Sequence, residues 1–283
     1  MIVQLLNGLA FGVLLLVLST GLALIFGLRG IVNFAHGAVY MLAAYVGFTI
    51  SERMTYWVAI VVTPIVFALI GVLADRFGFR YLTKRGELDM VLLTFGLTFV
   101  LTDVVQSVWG LGAKTVDAPA GLQGSTAIGG VDYPTYRLFV IAIGLVVGIA
   151  LMMWLRRSTI GLHVRASSTA RDVAAVVGID VDRVSAVVVG LGAGMAGLAG
   201  VLAGPYLSLS PTMGAEILVL TFIVVVVGGL GSIGGAMAAA IILGLLSTLS
   251  SAYSPDIGAY VPYLLMVVVL LVRPRGLAGT RSA

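Results

Sequence analysis

The chain has 283 residues, 60% of them hydrophobic and 10% charged, where soluble domains carry about a quarter charged residues. So few charges cannot clothe a water-facing surface, so a soluble globular protein is excluded and one membrane-embedded domain over 1–283 is predicted. There is no cysteine, which removes disulfides, thiolate metal sites and cysteine nucleophiles; the balance of 16 Lys+Arg to 12 Asp+Glu reflects sorting across a membrane rather than a nucleic-acid partner.

A helix needs roughly 20 apolar residues to cross the hydrocarbon layer. Candidate spans lie near 5–27, 34–50, 57–74, 89–109, 135–155, 184–204, 215–230, 234–252 and 258–272. The predicted fold is therefore all-α, a polytopic bundle of eight to nine spans. Strand-like alternation is absent, and backbone groups in lipid must be satisfied within the segment. The first basic residue is Arg29, so the start lacks the charged region of a cleavable signal, and the first apolar run is expected to stay in the mature chain.

Orientation follows from the basic residues. The loops 75–88 and 156–183 and the tail after 272 hold twelve of the sixteen, so all three are expected to face the cytoplasm. The 110–134 loop has one lysine, Lys114, and is expected outside. Nine crossings then place the N-terminus outside and the C-terminus inside.

Between the first two runs stand Arg29, Asn33 and His36. One reading is a cytoplasmic-side turn, with Asn33 capping the next helix and Arg29 snorkelling to headgroups. The other is a broken helix whose polar groups line a pathway. Asp103 lies inside the fourth run and is expected to bond within the bundle to neighbours such as Thr102 or Gln106, with a pathway role as the alternative. Glu216 lies at the outer end of the seventh. His36 and His163 are far apart in sequence, so no metal site is expected.

The stretch "STARDVAAVVGID" (168–180) breaks the apolar pattern in the 156–183 loop. Thr169 and Asp172 have the spacing of a capping box. Gly178 suits a left-handed stop with Ile179 as its apolar contact, and Asp180 suits the cap of the next helix. A short helix over roughly 170–177 results. It is too short to span and too apolar to be left in water. It either rests on lipid headgroups or docks into a cytoplasmic partner.

Two Gly-x-Gly-x-x-Gly patterns, at 192–197 and 229–234, lie in or between apolar runs and not in a strand–turn–helix unit, so packing explains them better than nucleotide binding. "GLGAKT" (110–115) fails the phosphate-loop pattern, so no ATP site is visible. The small-residue pairs Gly190/Gly194, Ala193/Gly197, Gly200/Gly204 and Gly231/Gly235 mark close helix–helix packing. A secondary transporter would need paired intramembrane charges, and an intramembrane enzyme a nucleophile–base pair; neither is visible.

Read together, Asp172-Val173-Ala174-Ala175-Val176-Val177-Gly178 resembles, in degenerate form, the E-A-A-x-x-x-G signature of ABC importer permeases. "GLALIFGLRGIVNFAHGAVYMLAAYV" (21–46), "RRSTIGLHVRASSTARDVAAVVGID" (156–180) and "FIVVVVGGLGSIGGAMAAAIILG" (222–244) resemble, in order, three stretches of the branched-chain amino-acid permeases. The chain resembles the shorter of that family's two permease types. The resemblance implies an importer in the bacterial cytoplasmic membrane with a second permease (related or identical), two cytoplasmic ATPases that use ATP and Mg, and an extracytoplasmic binding protein. This chain itself would bind no cofactor and catalyse no reaction. Coupling would fall on Thr169, Arg171, Asp172, Val173, Ala174, Ala175, Val177, Gly178 and Ile179; the pathway on Asn33, His36 and Asp103. Relatives for urea or short amides keep the cargo open.

Overall fold

The computed structural model describes residues 1–82 and 86–278. Lys84, Arg85 and Arg281, used above for orientation, lie outside the described residues. Ten helices carry the fold: α1 (Ile2–Arg29), α2 (Ala35–Arg53), α3 (Tyr56–Ala74), α4 (Glu87–Trp109), α5 (Thr135–Arg157), α6 (Thr159–Thr169), α7 (Arg171–Val176), α8 (Val181–Ala203), α9 (Met213–Gly228) and α10 (Ile233–Tyr253). A single turn (Pro255–Gly258) and α11 (Val261–Val272) follow. Past Ala74 the third helix runs on through a wide π turn, Asp75–Phe79.

Helices α1 and α8 form the centre. α1 packs on α10, α8, α5 and α9, and α8 also packs on α3 and α2. Both are enclosed along most of their length, whereas α3, α4 and α5 turn broad apolar faces outward. No hydrophobic drive pulls helices together in lipid, so close approach must come from shape. Glycine supplies it. A methyl group on Gly244 of α10 would lie 2.3 Å from the Gly12 Cα of α1, and one on Gly37 of α2 would lie 2.1 Å from the Gly214 oxygen of α9. The Gly192–Gly197 pattern sits inside α8, packed on α1 and α3, and Gly229–Gly234 joins α9 to α10, so both serve packing. Gly37→Ala is expected to lower thermal stability in detergent, by about 1–3 kcal/mol as overpacking does. The same change at Gly96, where a methyl group meets nothing within 4 Å, is expected to leave the melting point unmoved.

The expected eight to nine spans do not follow from helix length. Six described helices are long and apolar enough to cross, while α9 (16 residues) and α11 (12 residues) are shorter. Helix α2, 19 residues long and not among the six, starts in an unusual place. His36 Nε2 meets the carbonyl of Leu18, eleven residues before the end of α1 and thus about 16 Å from it. Thr98, at the midpoint of α4, donates its hydroxyl to the carbonyl of Phe34 at 3.1 Å. By both rulers α2 begins deep in the bundle, not at its cytoplasmic edge. Gly37 against Gly214 puts the start of α9 at a similar depth.

Outside the bundle, the 110–134 loop holds a hairpin that the sequence reading missed: Ser125–Ile128 pairs with Val131–Pro134. Gly129 and Gly130, at φ 60 and 81, make its two-residue turn. Lys114 of the same loop exchanges two backbone bonds with Leu209, so the 205–212 segment lies on the same side as that loop.

Candidate coupling surface and buried polar cluster

The loop 156–183 is largely helical. Arg156 and Arg157 end α5, and Ser158 caps α6 by accepting from the Gly161 amide at 2.9 Å. Gly161, Val164 and Ser167 form the buried stripe of α6, which packs on α1, α5 and α8. The sequence reading passed over α6; the Ser158 cap and the three-residue recurrence of small buried positions were its signal. The proposed capping box is not formed. Thr169 is the last residue of α6 and gives its hydroxyl to the Arg165 carbonyl at 3.0 Å, so it cannot cap the next helix. Ala170 at φ −151 turns the chain into α7 instead.

The stop of α7 is as expected. Gly178 sits at φ 91, its amide donates to Ala175 and the Ile179 amide donates to Ala174, the paired bonds of a Schellman motif. Ile179 packs against the core, and Asp180 accepts from the Arg183 amide at 3.0 Å to start α8. Arg171, Asp172 and Ala175 are exposed, and so are Val173, Val176 and Val177. Val176 is 87% exposed, whereas Ala174 is 3% exposed and faces the body. The outward surface of α7 is thus a valine patch, with Ala174 as its anchor underneath. Beside it, Ile160, His163, Ile179 and Arg183 border a groove of about 500 Å3.

Where α1 ends and α8 begins, three elements meet at a buried charge cluster. Arg29 at the end of α1 donates to the Asp75 carboxylate in the π turn and to Ser185 Oγ of α8 at 2.7 Å; Ser185 in turn donates to Asp75 at 3.0 Å. The guanidinium also reaches the Phe79 carbonyl at 3.4 Å and lies over the Phe79 ring. Asp75 is fully enclosed, and the Arg29 side chain is 5% exposed. Arg29 therefore does not snorkel: a carboxylate from the third helix turns it inward. Sequence reasoning missed Asp75 and Ser185. The available signal was that Arg29 and Asp75, of opposite sign, close two apolar runs on the same side. Nearby, Arg80 pairs with Asp182 at 3.6 Å, a second tie between the segment after α3 and the start of α8.

The polar group at 29–36 is a broken helix. Asn33 does cap α2, its Oδ1 accepting from the Ala35 amide at 3.1 Å, but at mid-depth. His36 is buried against α1 and edges a small apolar cavity of about 170 Å3 walled by Phe67, Ile70, Phe79, Leu97 and Leu101. Asp103 does not bond to Thr102 or Gln106. Thr102 donates back to Thr98, and Asp103 stands exposed on the outer face of α4 with no ion pair or hydrogen bond among the described residues. Glu216 is exposed in the first turn of α9. The candidate sites thus fall into three places: α7, the Arg29–Asp75–Ser185 cluster, and the interrupted start of α2 flanked by α4 and α9.

The family model described as "Branched-chain amino acid transport system / permease component" matches residues 4–270. The chain belongs to this family. The permease is 30% identical to the high-affinity branched-chain amino acid transport system permease protein LivH of Escherichia coli K12, over 98% of this chain and 94% of that one. It is 27% identical to BraD of Pseudomonas aeruginosa, covering 98% and 95%. It is 25% identical to a probable LivH of Methanocaldococcus jannaschii, covering 94% and 89%. Two of the three stretches that carry the sequence resemblance form the α6–α7 excursion between two spans and the glycine-rich 222–244 block at the α9–α10 joint, and the third spans the break between α1 and α2.

Proposed function

We propose that this permease carries branched-chain amino acids inward across the cytoplasmic membrane, paired with a second permease and driven by two ATPases that dock on α7. The observation that carries the reading is α7 itself: a short helix, fixed at its C-terminal stop, presenting exposed Val173 and Val176, with exposed Val177 just past its end. A helix built to lie on lipid sets a Lys/Arg-rich face against its apolar one; α7 has one arginine beside one aspartate and ends after six residues. Hydrolysis belongs to the partners, and an extracytoplasmic binding protein delivers the cargo to the face formed by the 110–134 loop and the 205–212 segment. Nine passages fit this arrangement, with α2 and α9 completed by the irregular segments 30–34 and 205–212. Irregular backbone at such depth is tolerated where it is enclosed by protein or lines water, so the pathway runs past Asn33 and the start of α2. His36, turned toward α1, ties the two helices together there.

The test is reconstitution in proteoliposomes, with and without the ATPase partners, following labelled leucine beside labelled urea. ATP-dependent leucine uptake only in the complete assembly is expected. Uptake by this chain alone on an ion gradient would overturn the reading.

A further inference from the structure

We infer that Asp103 faces water in the assembled transporter, on the wall of the translocation pathway, and that its carboxylate receives the ammonium group of the passing amino acid. The inference rests on the importer reading above and adds to it the group that recognises the charged end of the cargo.

The argument starts from depth. Asp103 lies five residues beyond Thr98, the midpoint of α4, so it stands about 7.5 Å from that midpoint along the axis. The hydrocarbon half-thickness is about 15 Å, which leaves the carboxylate well inside it. An aspartate side chain is too short to reach the headgroups from there. Ionised carboxylates at this depth are rare in lipid and turn to protein or water. Within this chain Asp103 has neither: it is exposed, and no cation or donor of the described residues reaches it.

Neighbouring faces supply the contrast. The exposed rows of α3 (Val62, Ile65, Val66, Leu69, Leu73) and of the middle of α5 (Val146, Ile149, Met153) hold only apolar groups, as lipid requires. The exposed row of α4 runs Phe95, Phe99, Asp103, Ser107 and breaks the rule, as does Glu216 in the first turn of α9. α4 is also loosely held, with α2 as its main partner, and Thr98 ties it to the break at Phe34. Thr98 itself faces inward, about 140° round the axis from Asp103, but Phe95, near the start of the exposed row, packs edge-on against Phe34 with ring centroids 6.2 Å apart, so that row borders the interrupted start of α2. A zwitterion crossing that side needs an acceptor for its ammonium, and Asp103 is the anionic acceptor that α4 offers there.

The absence of native cysteine makes the test direct, since Asp103→Cys introduces the sole thiol of this chain. In the complete transporter in proteoliposomes, that thiol is expected to react with a membrane-impermeant trimethylammonium methanethiosulfonate at least about tenfold faster than the thiol of Val146→Cys, modification being read on this chain by mass. Asp103→Asn is expected to lower leucine uptake about tenfold, the loss that follows removal of a charge-assisted hydrogen bond, with ATPase assembly unchanged; Asp103→Glu is expected to retain most of it. A thiol at 103 as inert as that at 146, or full uptake by the Asn variant, overturns the proposal. Wild-type leucine uptake is measured first. If it is nil, the importer reading fails, while the labelling arm still decides whether position 103 faces water.

Discussion

Replacing Asp75 with leucine is expected to destabilise the permease more than any other single change in the charge cluster. Asp75 accepts from Arg29 and from Ser185 in a site closed to solvent. Without it, the guanidinium of Arg29 keeps its charge, because arginine cannot shed its proton at any ordinary pH. Leaving a buried partner uncompensated costs about 3–5 kcal/mol. A loss of that size lowers a melting temperature by about 10 °C in a chain of this length, which thermal size-exclusion profiles in detergent can read. The pair itself is a different matter. Two charges taken from water lose most of what their attraction returns, so an apolar pair of similar volume is often as stable. The double variant Arg29→Met/Asp75→Leu is therefore expected to recover most of the lost stability. A single Asp75→Leu that melts with the wild type would show that the cluster holds nothing together. If the double variant recovers stability but not transport, the cluster's task is mechanical: it joins α8, which continues from α7, to α1 and α3 just below the break at 30–34.

Apolar runs and loop charges made the transmembrane architecture readable without coordinates, because length and hydropathy report directly on lipid. They did not report depth. The run at 34–50 has the length of a crossing, yet the Phe34 carbonyl and the His36 ring are satisfied by α4 and α1 in mid-bundle, and only tertiary contacts show that. Local rules fared by range. The Gly178 stop and the Asp180 cap depend on residues within one turn and formed as read. The Thr169–Asp172 box has the same spacing but failed, because α6, unseen, claimed Thr169 first. Arg29 was read as a lone cation at a helix end, and its partner lies 46 residues away. For Asp103 the sequence posed the right question, a carboxylate inside an apolar run, while the exposed side on which it stands is a property of the packed bundle.

Val176→Asp is expected to abolish ATP-driven uptake while leaving the permease folded. Val176 is 87% exposed and Val173 and Val177 are 62% and 70% exposed, so a charge at this patch meets no neighbour of its own chain and strains nothing. In a complex the same patch would be dehydrated against the ATPase, and a carboxylate buried there without a partner loses several kcal/mol, which is about a hundredfold or more in affinity. Co-purification of the ATPase with tagged permease reads the first consequence, and leucine uptake in proteoliposomes reads the second. Ala174→Asp separates anchoring from docking. Ala174 is 3% exposed and underpins α7 from within, so that variant is expected to lower the melting temperature as well as uptake. Between the two, the position of the defect identifies what α7 does. A peg that passes force inward must be both held by its own chain and gripped by the partner, and the two substitutions break these contacts one at a time. Should Val176→Asp retain both the ATPase and full uptake, α7 is not the docking surface.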